Sequence, residues 1–422
     1  MFKNLLGTIT TRFIIAVINF IIILLTSREL GPEKYGTISL IILVISFVLI
    51  FGGFIGSASL VYMASRYDLF KLFVISYVWT FISSVLVTAI LYFLNLIPSG
   101  FAVSVLFLSL IRTLTEVNQT ILLGKEKIAK FNSITLIQTI ITLVVIIYLF
   151  LIIGKKEVTS YIISIYIAYI ISFIISFIYI FKDLKYTDFK GIDKIVKEVF
   201  KFGLFVQTSN IIQQLNYRLS YYIVDSFLGR YALGVFTLGV QLSESIWIIS
   251  KSMATVLYAR ISNSSDAEYS KNITIRFAKI SFLISLFCII VLLIIPENIF
   301  ILIFRKEFGG MKNVIAFLSI GILSVATSTM FGHYYSGTGK PHFNTMCSII
   351  GLVFTLTFGF VLIPELGITG AAMTSTFSYF ASFMFSLVIF INITKTKYRE
   401  LFVLKDDFKL IIQEIKKFKN KN

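Results

Sequence analysis

Arg12, Arg112, Arg218 and Lys251 stand inside long apolar runs, in company with Lys279, Glu116, Asp225 and Glu244. A charge at the centre of a membrane-spanning helix costs at least about 2.5–3.5 kcal/mol, so such groups belong in a bundle interior or a water-filled path and not against lipid. Their spacing agrees with that. Gln207, Asn210, Gln214, Arg218, Tyr221 and Asp225 recur every three or four residues and share one helical face. Thr237, Gln241, Glu244, Lys251, Thr255 and Tyr258 form a second stripe, Arg112, Glu116 and Gln119 a third, and Thr8, Arg12, Asn19 and Thr26 a fourth. The chemistry this suits is recognition of an anion with a hydroxylated body. Guanidinium holds phosphate bidentately and ammonium acts as a point charge, which assigns Arg12, Arg112, Arg218 and Lys251 to the anion. Gln214, Tyr221, Gln241 and Asn19 supply hydrogen bonds and flat faces for sugar rings. Glu116, Asp225 and Glu244 are candidates for a coupling proton or sodium ion, or neutralise the cations.

Plainer readings stand beside these. Arg12 and Lys279 lie within about a turn of their helix ends, from which they can snorkel to headgroups. Arg112 and Glu116, four apart, fit a structural pair. Asp225 lies near the outer end of its run, where solvation is easy. His333 and His342 read as interfacial and loop residues. The sequence has no P-loop, no metal-spaced His/Cys set and no paired-carboxylate motif in a sizeable loop, so neither an enzyme, a metal site nor a bound cofactor is expected. Cys288 and Cys347 both fall in apolar runs, away from any disulfide pattern.

The elements that must position these residues are helices. The chain is 57% hydrophobic and only 14% charged, with a mean hydropathy of +0.91. Apolar runs of about 20 residues, the length that crosses hydrocarbon, recur throughout, and nothing alternates like a barrel strand. Twelve spans are expected between residues 9 and 393, giving an all-α polytopic membrane protein. With the N-terminus inside, the inner segments hold 25 of the 38 Lys and Arg and the outer loops eight, so both termini are expected in the cytoplasm. That sorting accounts for the net charge of +17 without a nucleic-acid partner.

Leu30-Gly31-x4-Gly36-x3-Leu40 recurs as Leu228-Gly229-x4-Gly234-x3-Leu238, and Phe131-Asn132-Ser133 recurs as Phe343-Asn344-Thr345. Both echoes indicate duplication of a six-helix unit. Six is even, so the two halves enter the membrane in the same direction, as a parallel repeat. The expected organisation is a lobe over 1–181, a basic linker over 182–202, a second lobe over 203–393 and a basic tail over 394–422, with the polar seams facing a cavity between the lobes. Linker and tail read as amphipathic helices on the anionic inner leaflet, so membrane lipids are expected partners.

The stretch TSRELGPEKYG from Thr26 to Gly36 resembles the signature between the first two helices of Wzx-type polysaccharide flippases, with Pro32, Gly31 and Gly36 forming the outer turn and Arg28 capping a helix end. Asp225-Ser-Phe-Leu-Gly229 with Gly234, the approach to Tyr258-Ala-Arg260, and Gly124-Lys125 with Phe131-Asn132 are similar as well. The resemblance runs along the whole chain and implies the superfamily of MATE exporters and the lipid II flippase MurJ, with two six-helix lobes. MurJ-like proteins usually add two helices that this sequence lacks. The resemblance further implies translocation of an undecaprenyl-pyrophosphate-linked oligosaccharide across the bacterial cytoplasmic membrane for O-antigen or capsule, by ion-coupled alternating access. A polysaccharide polymerase and chain-length machinery would be its partners, and Arg12 and Arg218 its pyrophosphate ligands. A MATE-like exporter of small organic ions and a non-transporting component of an assembly complex are the alternatives.

Overall fold

The structure is a computed structural model that describes residues 2–56, 60, 61, 63, 64, 67–264 and 266–401. The amphipathic tail expected over 394–422 lies outside the described residues beyond Leu401. Helices run in the order α1 Phe2–Gly52, α2 Leu69–Phe93, α3 Ala102–Gly124, α4 Ile128–Ile147, α5 Val158–Phe181, α6 Ile192–Glu244, α7 Trp247–Ser262, α8 Ala267–Ile294, α9 Glu297–Phe304, α10 Met311–Gly337, α11 His342–Thr394 and α12 Tyr398–Leu401. No strand occurs among the described residues. The chain is a multi-pass membrane protein: eight of its described helices are long and apolar enough to cross a bilayer. Three of those are broken in the middle, at Gly31 in α1, Gly229 in α6 and Gly367 in α11. Counting their arms separately, and adding the more polar α3, is consistent with the twelve expected spans.

The first two breaks are the repeated motif. Gly31 has φ 75° and ψ 173°, and Gly229 has φ 79° and ψ 178°. That region of backbone space is essentially closed to residues with a Cβ, which is why both copies need glycine. The second glycines do something else. A Cβ on Gly36 would run into the carbonyl oxygen of Arg230, and one on Gly234 into that of Pro32. With an offset of 198 residues, Arg230 is the counterpart of Pro32, so the two contacts are the same contact made twice. Ser39 and its counterpart Thr237 meet hydroxyl to hydroxyl at 3.1 Å. The two copies therefore pack like against like, as across a twofold axis. Glycine permits this approach of backbones, the usual device for close helix contact in hydrocarbon.

The shorter echo is structural too. After α3, Lys127 N bonds Leu122 O at 2.8 Å and Glu126 takes a positive φ of 58°. After α10, Lys340 N bonds Tyr335 O at 2.7 Å and Gly339 has φ 76°. Both are left-handed helix stops with a bond reaching back five residues.

By contacts the chain forms two compact units. The first takes in the described residues up to Leu238 together with Asn298–Gly309, and the second Gly239–Glu297 and the described residues from Gly310 onward. These units follow contacts, whereas the expected division at 182–202 follows the repeat. Small hydroxyl residues line the helix contacts of the first unit. Ser76, Thr80, Ser84 and Thr88 form a buried stripe on α2, and Ser160, Ser164, Ala168, Ser172 and Ser176 one on α5. Asn118 of α3 ties both together, accepting from Tyr77 Oη at 2.8 Å and donating to Ser176 Oγ at 3.0 Å. In the second unit Ser281 Oγ donates to Ser250 Oγ and contacts the Ala326 carbonyl, each at 2.9 Å.

The linker is not a free surface helix. From Ile192 it is already α6, continuous with the following span, and Ile195 and Val199 are buried in the first unit's core with Leu72, Ile121 and Ile180. Its apolar face is covered by protein and not by lipid. The preceding turn is stitched to the helix ends beside it. Asp183 pairs with Lys127, Asp188 with Lys71 at 3.5 Å, and Thr187 Oγ1 donates to Asp68 at 2.7 Å. Asp68 also caps α2, accepting from the amides of Phe70 and Lys71 at 3.0 and 3.2 Å.

Two outcomes are expected from this packing. Gly234→Val forces a side chain into the Pro32 carbonyl, and overpacking of this kind costs about 1–3 kcal/mol. Its unfolding midpoint in detergent falls, and Gly36→Val falls similarly; unchanged midpoints in both would mean that the backbones do not approach. The second outcome concerns pH. The hydrogen bond and charge of Lys127 hold the Asp183 carboxyl below its ordinary range. The pair therefore contributes stability above the unfolded-state value and loses it as pH falls through the lower folded-state value. Acidification below roughly pH 4 should raise hydrogen exchange in residues 182–191, and Lys127→Ala should raise it at neutral pH.

Candidate functional site

In the first unit the polar stripes resolve into separate groups. Arg112 on α3 lies 3.6 Å from the Glu116 carboxylate and donates through Nη1 to Gln138 Oε1 on α4 at 2.8 Å. Its guanidinium also sits 5.8 Å from the centre of the Tyr169 ring on α5. Three partners from three helices hold this cation, and both members of the ion pair remain part-exposed, at 20% and 37%. Arg218 on α6 is half-buried; its Nη1 donates to Tyr221 Oη at 2.9 Å and its plane lies 5.2 Å from the same ring. Tyr221 is itself buried and packs edge-on against Phe236. A guanidinium over an aromatic face is held by the ring quadrupole while keeping its positive charge. One turn earlier, Gln214 donates to Ser46 Oγ at 2.8 Å, linking α6 to the second arm of α1.

Asp225, one turn beyond Tyr221, forms an ion pair with Arg230 at 2.9 Å, immediately past the Gly229 break. Arg12 and Asn19 are exposed on the first arm of α1, seven residues apart on one face, and neither bonds another candidate among the described residues.

Gln241, Glu244 and Lys251 belong to the second unit. Gln241 and Glu244 are half-buried in the last turn of α6. Lys251 is exposed on α7, with its ammonium 5.6 Å from the Trp247 ring. The stripe joining them is interrupted: the helix tightens at Ser245 and Ile246, where Ile246 N bonds Ser243 O at 3.3 Å and Ile248 N bonds Ser245 O at 3.2 Å. A period-3.6 argument assumes one unbroken helix, and the three-residue closures here interrupt that period.

The sequence reading omitted several partners. Gln138 and Ser46, which hold Arg112 and Gln214, sit singly among apolar residues and carry no periodic signal. In the glycine motif it is Glu29, not Arg28, that ties segments together. Its carboxylate meets Lys156 at 2.5 Å and Arg305 at 4.0 Å, while Arg28 is exposed.

Comparison with known proteins places this geometry. Two curated relatives match part of the chain: the capsular polysaccharide biosynthesis protein CapF of Staphylococcus aureus, 27% identical over 190 residues, and an uncharacterized membrane protein of Methanocaldococcus jannaschii, 25% identical over 199. These alignments cover 44% and 46% of this chain, and 48% and 39% of the relatives, so the chain spans about half or less of the curated proteins it matches. In fold it is similar to the lipid II flippase MurJ in an inward closed conformation, with a TM-score of 0.75 at 14% identity over 94% of this chain and 89% of that one. It is also similar to an inward-facing MATE family multidrug transporter of the MOP superfamily, with a TM-score of 0.69 at 15% identity over 92% and 99%. Both are transporters of the membrane, not enzymes, and the fold of this chain is theirs. The family model for polysaccharide biosynthesis proteins matches residues 1–265, more than half of the sequence and both copies of the glycine motif, and the chain belongs to that family.

Proposed function

We propose that this protein carries an undecaprenyl-pyrophosphate-linked oligosaccharide from the inner to the outer leaflet of a bacterial cytoplasmic membrane, for assembly of a capsule or O-antigen. Family membership supports the polysaccharide pathway, and the MurJ-like fold supports transport of a lipid-linked substrate. The observation that carries the reading is Arg218, a half-buried cation inside a spanning helix, oriented by the buried Tyr221. A fixed guanidinium in that position suits a pyrophosphate, and it disfavours the organic cations that a multidrug exporter would admit. Arg112 and Lys251 add positive charge of the same sense, and Arg12 adds a further cation on the first arm of α1. Gln214 and Gln241, with Tyr221 and Asn19, supply polar contacts for sugars. The prenyl chain stays in lipid while the headgroup crosses, powered by a proton or sodium gradient, with both termini cytoplasmic. A polymerase and chain-length proteins would receive the product.

The test is translocation of a labelled prenyl-pyrophosphate oligosaccharide in proteoliposomes. A hydrogen bond to a charged group is worth about 1.5–3 kcal/mol, and each 1.4 kcal/mol is tenfold, so Arg218→Ala is expected to slow flipping roughly tenfold or more. Arg218→Lys should recover part of the loss. An equally active Arg218→Ala protein would remove the assignment of the anion site to α6, and no flipping by correctly inserted wild type would favour the exporter or scaffold alternative.

A further inference from the structure

The duplication can be followed helix by helix within each unit. Between α2 and α8 the offset is 198 residues. Asp68 and Asp266 each cap their helix, the second accepting from the amides of Glu268 and Tyr269 at 2.9 and 3.1 Å, and Ile75 and Ile273 are both buried. Between α3 and α10 the offset is 213, which pairs Ile121 with Tyr334. Between α5 and the second arm of α11 it is 210, which pairs Tyr169 with Tyr379, Ser176 with Ser386 and Ile180 with Phe390. All of these are buried, so the registers rest on packing as well as on sequence.

The chain that leaves the last helix of each half matches too. After α5 it turns to the start of α2, where Lys71 Nζ donates to Lys190 O at 2.6 Å and pairs with Asp188. After α11 it turns to the start of α8, where Lys271, already paired with Glu268 of its own helix at 2.9 Å, reaches Glu400 at 3.5 Å. The two lysine side chains are equally covered, at 13% and 12% exposed. In the first unit Ile192, Ile195 and Val199 then join the core of Ile121 and Ile180. In the second, Leu401 packs into the core that holds Tyr334 and Phe390, the counterparts of those two residues. Leu401 follows Ile192 by 209 residues, within one of the offset set by α5 and α11. The sequence continues the match: Ile192, Ile195 and Val199 recur as Leu401, Leu404 and Phe408, in the same steps of three and four that keep one helical face.

We propose that the protein's own tail, the segment after Leu401 that lies beyond the described residues, docks on the second unit, with Leu404 and Phe408 in the places that Ile195 and Val199 hold on the first. α12 is then the first turn of a longer helix. The alternative seat is the anionic leaflet, which an amphipathic, lysine-rich segment also suits. Two observations favour protein. Glu400 and Leu401 already fasten the start of the segment to α8 and to the core beside it, so its next turns are delivered to that surface at a high effective concentration. The linker carries the same apolar pattern, and protein covers it. The tail would brace the end of the second unit from which α8 begins, as the start of α6 braces the corresponding end of the first.

The experiment is hydrogen exchange of the full chain in nanodiscs of phosphatidylcholine and, separately, of phosphatidylglycerol. Docking predicts slow exchange of amides 402–410 in both lipids. Leu404→Asp and Phe408→Asp should each lose that protection, and should also speed exchange in 394–401 and in the first two turns of α8, residues 267–274. If one variant does not fold the other serves, and the comparison of the two lipids needs neither. Protection of 402–410 in phosphatidylglycerol alone would seat the tail on the leaflet and overturn the docking. Fast exchange of 402–410 in both lipids, or α8 turns indifferent to both aspartates, would overturn it as well.

Discussion

Hydrocarbon offers no hydrogen bonds, and that single deficiency organises this molecule. Backbone groups inside a span are satisfied by their own helix, and where a helix stops they need partners from elsewhere in the protein. The consequence is visible wherever a helix stops inside the bundle. At the end of α1, freed carbonyls are met by the indole of Trp79 and the amide of Gln207, side chains from two other helices. Ser and Thr residues are turned inward as four-residue stripes, which lets helices pack closely while keeping hydroxyls away from lipid.

Charges inside the spans obey the same rule with different degrees of freedom. Arg112 is held by a carboxylate, an amide and a ring, and the Asp225–Arg230 pair neutralises itself beside the Gly229 break. Arg218 donates to the Tyr221 phenol, which orients it.

The helical class, the membrane character and the repeat were legible because they rest on composition and on glycines whose role is local. Gly31 and Gly229 demand their backbone angles wherever they occur, so a motif search finds them. The candidate site was legible only in part. Periodicity put Gln214, Arg218 and Tyr221 on one face, and α6 is continuous there. It carried the second stripe through Glu244 to Lys251, across a break at Ser245 that has no glycine or proline to announce it. Partners such as Gln138 and Glu29 depend on which helices are neighbours, and no single-chain pattern encodes that. The linker's apolar face was visible in sequence, but whether protein or lipid covers it was not.

The glycine junction has a historical implication. Gly36 against the Arg230 carbonyl and Gly234 against the Pro32 carbonyl are one interaction written twice. Such reciprocity is what two identical subunits make across a dyad. An ancestor of half this length could have formed the same contact between separate copies of itself, before its gene was doubled. Fusion would then have freed each copy to diverge: proline stands at one of the paired positions and arginine at the other, and serine faces threonine, while the glycines, which the geometry holds fixed, and the flanking leucines remain alike.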